Sequence, residues 1–208
     1  MSLLSLFPLD LVLLPGVPLP LHIFEPRYKE MIAECLEQKK LFGIVRASEQ
    51  GVAEIGCAAE ILSVTKKYDD SRMDILTRGV GRFEVLEVND DRAFLQARVS
   101  MVPDQPDEDG PAKPASELAE QAIRLHSEIA KLAGADPSRV ELSRGELSGN
   151  GAGARNLSFL LAGSLPLDLD FKQNLLSTLS ETKRLQAIIG YLQAILPALR
   201  RASKARWN

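Results

Sequence analysis

The sequence has few of the side chains that form disulfides, metal sites and catalytic centres. Its 208 residues include two cysteines and two histidines. Cys35 and Cys57 lie in apolar surroundings, and they lack the close spacing of a zinc-ligand or redox pair. We interpret them as buried thiols in a reducing cytoplasm. A chain of this length can bury a sizeable core, so its stability requires neither a disulfide nor a metal.

Motifs that signal catalysis are also missing. No lysine directly follows a glycine, so a P-loop is excluded, and neither a Gly-x-Ser-x-Gly elbow nor a His-Glu-x-x-His pair occurs. His22 and His126 stand in segments of different type, and no motif supports a histidine-based triad. The string Gly149, Gly151 and Gly153 is interpreted as part of a flexible loop, which could order on a partner, and not as a phosphate loop. We predict no catalytic residue, cofactor or metal.

Long hydrophobic runs and an excess of positive charge are absent as well. The apolar stretch 3–24 contains four prolines, which break a helix. No other segment approaches the roughly 18 uninterrupted apolar residues of a membrane span. The formal net charge of −3 provides no long-range attraction for the phosphates of nucleic acids. We therefore expect a cytoplasmic protein that binds neither membrane nor nucleotide, and for which nucleic acid is disfavoured.

The first half of the sequence has the pattern of a β-rich domain. Pro15 and Gly16 predict a turn, and Pro26 followed by helically spaced apolar residues predicts a helix at 26–39. Short apolar or β-branched runs predict an extended segment at 19–24 and strands at 3–7, 11–14, 42–46, 58–65, 73–78, 83–88 and 94–102. Many short strands with one early helix favour a small barrel or sandwich.

The second half is predicted to be helical. Residues 104–115 are acidic and Pro-rich, and we interpret them as a linker between a β-rich subdomain at 1–103 and a helical subdomain at 116–208. Apolar stripes predict four helices, the last of them kinked or ended by Pro197. The basic tail at 200–206 suits the negative end of that helix. The candidate capping residues are Ser116, Asp168 or Asp170, and Ser180. The predicted fold class is α+β.

Several segments resemble the LON domain, the N-terminal domain of Lon proteases. The longest match reads FPL at 7–9, VLLPG at 12–16 and PLHIFEPRY at 20–28. Shorter matches follow in order at 42–45, 54–61 and 79–85, and the helical half adds 165–168, 172–176 and 184–185. The resemblance covers most of the chain.

The resemblance implies a PUA-like β pseudo-barrel of about six to seven short strands and one helix, followed by an α-helical bundle. It also implies a non-catalytic module that binds unfolded or extended polypeptide, or a specific protein partner. In Lon the ATPase and Ser-Lys protease domains follow this region, and we expect this chain to act without them. An RNA-associated PUA-like module is the first alternative, by analogy of fold, and a peptidase is the second. The sequence leaves the oligomeric state open.

Eight residues of the signature are candidates for a site. We expect Pro15, Gly16 and Pro20 to set backbone angles, and Phe24 and Tyr28 to lie in the core. The polar signature residues are His22, Glu25 and Arg27. Polar groups inside an apolar motif predict a buried or half-buried cluster that locks the junction between strand and helix. If these side chains are exposed, contact with a partner chain becomes the better explanation.

Overall fold

The computed structural model describes residues 2–49, 51–105, 115–133 and 156–205. Most of the predicted linker, the Ser/Gly-rich loop with Gly149, Gly151 and Gly153, and the last residues of the basic tail lie outside the described residues. The chain divides into two compact units. The β unit comprises Met1–Pro103 and Asp168–Ser177, and the helical unit comprises Asp104–Leu167 and Thr178–Asn208.

The β unit contains seven strands among the described residues. They are β1 (Ser2–Leu9), β2 (Pro18–Ile23), β3 (Phe42–Ser48), β4 (Gly51–Val52), β5 (Ile55–Lys67), β6 (Met73–Asn89) and β7 (Gln96–Val102). Their order in the sheet is β1-β7-β6-β5-β3-β4, with β2 paired to β6. A parallel pairing of β1 with β3, from Leu6 opposite Gly43 to Leu9 opposite Arg46, joins the sheet into a ring. This architecture confirms the predicted α+β class with a β pseudo-barrel.

Strand β6 differs from the sequence prediction, which placed separate strands at 73–78 and 83–88. The strand runs unbroken through Gly79 and Gly81. A Cβ atom on Gly79 would lie 2.4 Å from the carbonyl oxygen of Leu14. The glycine therefore allows a close approach of two backbones and does not end the strand. The predicted strand at 11–14 is absent, and Leu13 and Leu14 lie in a buried irregular segment.

The centre of the β unit is an apolar cluster around the fully buried Phe83. The cluster also contains Leu6, Val45, Ala58, Ala97 and Val99. Two glycines make room for the Phe83 ring, because a Cβ on Gly43 would lie 2.6 Å from Phe83 Cζ and one on Gly56 only 2.5 Å. The ring thus fills space that side chains on β3 and β5 would otherwise occupy.

Helix α1 (Pro26–Gln38) has proline at its start, where the missing N–H is not needed. It ends at Gln38, and the left-handed φ of 52° at Lys39 lets the N–H of Lys40 donate to the carbonyl of Cys35 at 3.0 Å. Burial raises the pKa of Cys35 to about 11 and that of Cys57, on β5, to about 12. Both thiols therefore stay protonated at neutral pH and are poor nucleophiles.

A helix from the C-terminal half belongs to the β unit. Helix α4 (Leu169–Ser177) begins with Asp168 Oδ1 accepting the N–H of Phe171 at 2.8 Å, as the predicted cap requires. Arg82 Nη1 of β6 donates to the carbonyl of Leu176 at 3.1 Å. The sequence assigned this segment to a helical subdomain at 116–208, because an apolar stripe does not reveal which surface it covers.

The helical unit is built from α2 (Ala115–Ala133), α3 (Leu157–Gly163) and α5 (Glu181–Ala205). Ser180 caps α5 by accepting the N–H of Lys183 at 3.0 Å. Helix α5 continues through Pro197, so of the two predicted outcomes, a kink or an end, the end of the helix is wrong. Its core residues include Leu185, Ile188, Leu192 and Leu196. None of the helices in the described residues is both long and apolar enough to cross a membrane.

The fully buried Arg184 organises the start of α5. Its Nη2 lies 2.7 Å from Asp104 Oδ2 and 2.6 Å from Glu181 Oε2, and its Nε donates to Ser158 Oγ at 2.9 Å. The guanidinium also lies over the ring of Phe159, 4.2 Å from its centroid. One cation thus holds two acidic side chains within the helical unit.

His126 of α2 is buried and contacts the hydroxyl of Ser164 at 2.6 Å. Because Ser164 Oγ donates to the carbonyl of Leu161, it accepts from His126 Nε2, and Nδ1 carries no proton. Nδ1 has no hydrogen-bond partner among the described residues. Burial lowers the pKa of His126 below its ordinary value of 6.5.

This lowered pKa of His126 predicts a loss of stability in mild acid. The unfolded chain binds the proton more readily than the folded chain, so the free energy of unfolding is highest above about pH 6.5 and falls below it. Urea unfolding between about pH 8 and about pH 5 measures the effect. The wild type should lose more stability than His126→Gln, whose amide can still donate to Ser164. An equal pH dependence of the two proteins would contradict the assignment.

Candidate functional site

Strand β2 presents part of the signature on the surface. It pairs with β6 so that His22 lies opposite Asp74 and Ile23 opposite Met73. Ile23 is buried, and because side chains alternate along a strand, His22 and Phe24 face outward. The His22 side chain is 43% exposed.

Asp74 holds two aromatic side chains at once. Its Oδ1 lies 2.5 Å from His22 Nδ1, and its Oδ2 accepts the hydroxyl of Tyr68 at 2.9 Å. The hydrogen bonds from His22 and Tyr68 lower the pKa of Asp74. The carboxylate is therefore ionised at neutral pH and fixes both rings.

We call His22, Phe24 and Tyr68 the aromatic patch. The Phe24 and His22 rings stack with centroids 5.9 Å apart, and Tyr68 meets His22 edge-on at 5.7 Å. Phe24 is 57% exposed, so the expectation that it lies in the core is wrong. Phe24 directly follows β2, and the alternation that turns Ile23 inward turns its neighbour outward.

Charged side chains surround the aromatic patch. Lys66 Nζ lies 4.5 Å from the Tyr68 ring centroid and Arg72 Cζ lies 5.1 Å from it. Arg72 is tied to Asp70 by an Nε–Oδ2 contact of 2.6 Å. The backbone and side chain of Arg72 lower the pKa of Asp70. Lys29 of α1 donates to the carbonyl of Asp70 at 2.8 Å. This bond links the helix to the turn between β5 and β6.

The other polar signature residues form a separate pair. Glu25 Oε2 lies 2.8 Å from Arg27 Nη2, and both side chains are partly exposed. The expected single cluster of His22, Glu25 and Arg27 is therefore two pairs, because His22 bonds to Asp74 instead. Tyr28 is buried and lies 4.1 Å from Phe7 between ring centroids. Burial raises the pKa of Tyr28.

The remaining signature residues shape the backbone. Gly16 has a φ of 81° and its N–H donates to the carbonyl of Gly79 at 2.8 Å. Pro15 forms an isolated bridge with the same glycine. Pro20 of β2 lies opposite Leu76 of β6. Among the described strands, β2 pairs with β6 alone, so one side of β2 has no neighbouring strand and the missing N–H of Pro20 is tolerated.

The sequence did not identify Lys66, Tyr68, Arg72 or Asp74 as site residues. Their segment was predicted only as two strands, at 58–65 and 73–78, with a connection between them. The available signal was Tyr68 among charged residues of both signs, and it became informative only once the register of β2 on β6 was known. In the described residues, no group of three or more His, Cys, Asp or Glu side chains could hold a metal ion.

The sequence matches a known protein family over most of its length. The model described as the ATP-dependent protease La (LON) substrate-binding domain matches residues 4–194. The chain belongs to this family. Lon protease 1 of Hydrogenovibrio crunogenus is 27% identical to this LON domain over 200 residues, which are 91% of the chain and 23% of that relative. The LON domain thus spans about a quarter of the length of the curated relatives that match most of it.

Solved structures have the same fold. A Lon N-terminal domain protein from Xanthomonas campestris matches with a TM-score of 0.67 and 25% identity, covering 92% of this chain and 99% of that one. The N-terminal domain of a Mycobacterium avium complex Lon protease matches with a TM-score of 0.68 and 18% identity, covering 92% and 98%. The family model and the two solved structures therefore agree on the fold of this chain, which is that of a Lon N-terminal domain.

Proposed function

We propose that this LON domain binds unfolded or extended polypeptide through the aromatic patch and acts as a recognition module without catalysing a reaction. Membership of the substrate-binding family supports the proposal. The observation that carries it is Phe24, a large apolar ring 57% exposed beside two further rings. Clustered exposed aromatic residues are a common feature of surfaces that bind protein segments.

The rigidity of the aromatic patch favours binding. Asp74 restrains His22 and Tyr68 before any partner arrives, so little side-chain entropy remains to be lost on association. The cations beside Tyr68 add polar contacts at the border of the apolar surface. The arrangement suits apolar side chains flanked by acidic ones.

Fluorescence anisotropy tests the proposed function. Labelled unfolded polypeptide and labelled RNA are titrated separately with the LON domain across a salt series. Saturable binding of polypeptide that tolerates salt supports the proposal. Failure to bind either probe contradicts general recognition of polypeptide and favours one specific folded partner.

Removing the Phe24 ring should weaken polypeptide binding. Phe24→Ala is expected to raise the Kd by about tenfold or more, since truncation of an aromatic residue at the centre of an interface costs about 2 kcal/mol or more. Met101→Ala is the matched control, because Met101 is 52% exposed on β7 but lies opposite Phe83, far along β6 from Asp74. Equal effects of the two substitutions would assign binding to another surface.

RNA is the second candidate ligand. The observation in its favour is the pair of cations over Tyr68, since an aromatic ring with basic neighbours can stack a base. RNA binding would weaken steeply as salt increases. Such a response, with no binding of polypeptide, would replace the first proposal.

A further inference from the structure

A second surface of the β unit forms an open cleft of about 330 Å³. It lies between the β3–β4 hairpin and α4, and its walls include Arg46, Ser48, Val52, Glu54, Asp170 and Gln173. Its volume is at the small end of the range of roughly 300–1,000 Å³ for ligand pockets. No residue of the aromatic patch lines it.

Two polar atoms of the cleft residues are buried without a partner in the described part of the chain. They are Arg46 Nε, a donor, and Gln173 Oε1, an acceptor. Arg46 is held in place by Asp170, with Nη1 2.5 Å from Oδ1, and its side chain is only 22% exposed. Leaving a buried donor or acceptor unpaired costs about 1–3 kcal/mol, and a ligand that displaces the side chains covering these two atoms and pairs with them would recover that cost.

The orientation of the Gln173 amide is fixed by its other hydrogen bond. Its Nε2 donates to the backbone carbonyl of Ile55 at 2.9 Å. Because a carbonyl only accepts, rotating the amide by half a turn would bring two acceptors together. Oε1 therefore remains the free acceptor.

A donor and an acceptor buried in the walls of one cleft match a carboxamide, which offers both a C=O and an N–H. A carboxylate matches less well, because it cannot donate to Gln173 and would be repelled by Glu54. The carboxamide could come from the main chain of a polypeptide or from an Asn or Gln side chain.

The neighbouring strand favours the main chain as the source. Strand β4 ends the sheet order, and β3 is its only strand partner among the described residues. Gly51 of β4 has a φ of 116°, and a Cβ added to it would meet nothing within 4 Å. An extended segment lying along this open edge would bring its peptide groups to the cleft.

We propose that the cleft binds one peptide group of an extended polypeptide, whose C=O accepts from Arg46 Nε and whose N–H donates to Gln173 Oε1. This inference rests on the proposed function, since it assigns part of the same ligand to a second surface. It makes the LON domain a two-point binder, with apolar side chains on the aromatic patch and backbone in the cleft.

Nuclear magnetic resonance of the ¹⁵N-labelled LON domain tests the cleft directly. The probes are N-acetylglycine N′-methylamide, propionamide and methyl propionate, observed at Arg46 Nε–H and at the Gln173 side-chain amide. We expect saturable shifts with the methylamide in the millimolar range, and binding about tenfold weaker for the ester, which cannot donate. Tighter binding of propionamide would assign the cleft to Asn or Gln side chains and overturn the main-chain source.

Arg46→Lys is the decisive variant. It keeps a cation for Asp170 but removes the Nε–H donor, and should weaken methylamide binding by about tenfold. Arg78→Lys is the matched control, because Arg78 pairs with Glu60 through two contacts of 2.9 and 2.6 Å outside the cleft. Amide spectra confirm that both variants fold, and equal binding by both contradicts the proposed contact.

Comparison with the anisotropy experiment separates the two proposals. Polypeptide binding without any shift at Arg46 or Gln173 from the methylamide would mean that water satisfies these atoms, which overturns the cleft proposal and leaves the proposed function intact. Methylamide binding without polypeptide binding would overturn the proposed function, while the carboxamide site in the cleft would stand.

Discussion

Arg184→Ala is expected to lower the free energy of unfolding of the helical unit by about 3–5 kcal/mol, the usual effect of removing one partner from a buried ion pair. The substitution leaves Asp104 and Glu181 without the cation that holds both. It also removes the donor to Ser158 and the contact with Phe159. Urea unfolding at neutral pH, followed by circular dichroism, measures the loss.

The pH dependence of this loss identifies its electrostatic cause. Burial already raises the pKa of Glu181, and Arg184 is one of the groups that opposes this rise. Without Arg184 the carboxyl should take up a proton more readily in the folded state, so the deficit of the variant should shrink as the pH falls toward 4.5, the ordinary pKa of Glu181. A deficit that does not change with pH would indicate lost packing alone.

Arg200→Ala is the matched control for Arg184→Ala. Arg200 pairs with Glu128 at 2.6 Å within the same unit, but its side chain is exposed. Exposed ion pairs contribute about 0–1 kcal/mol because water screens them. A similar loss from both substitutions would refute the central role of Arg184.

Phe83→Ala should destabilise the β unit by about 3–5 kcal/mol, since it removes a fully buried ring from a closed cluster. The neighbouring Gly43 and Gly56 have no side chains that could move into the space left by the ring. Thermal and urea unfolding measure the change. Phe24→Ala serves as the control, because loss of an exposed ring should cost less than about 1 kcal/mol.

A double-mutant cycle tests the fit between Phe83 and Gly56. Gly56→Ala alone places a Cβ 2.5 Å from Phe83 Cζ and should destabilise the unit. The same substitution should cost less when Phe83 is already alanine, although the carbonyl of Ile44 at 2.8 Å keeps some of the cost. Additive effects would show that the ring and the glycine do not compete for space.

Local features of the fold could be predicted from the sequence. The turn at Pro15 and Gly16, helix α1 and the caps at Asp168 and Ser180 each depend on residues close together in the chain. The signature residues also carry a strong family pattern, so the fold class followed from them. For these particular features, residues close together in the chain were enough to predict the local structure.

Features that depend on distant residues could not be predicted. The partner of His22 is Asp74, 52 residues away, and nothing local specifies the register of β2 on β6. The register brings His22 beside Asp74 and thereby sets the position of the His22 ring, on which Phe24 stacks. Separate strands were predicted at 73–78 and 83–88, on either side of Gly79. The close approach of the Leu14 backbone, which requires a glycine at position 79, cannot be recognised without the fold. The cleft has the same origin, since Arg46 and Asp170 are 124 residues apart.

The contribution of α4 to the β unit has a consequence for synthesis on the ribosome. All seven strands have been synthesised once Val102 has been added, but α4 is complete only with Ser177. Helix α4 provides the carbonyl that accepts from Arg82 and the Gln173 amide that donates to Ile55. At about 5–20 residues per second, the nascent β unit waits for several seconds with these groups uncovered. The β unit is therefore completed after translation of most of the helical unit, and not before it.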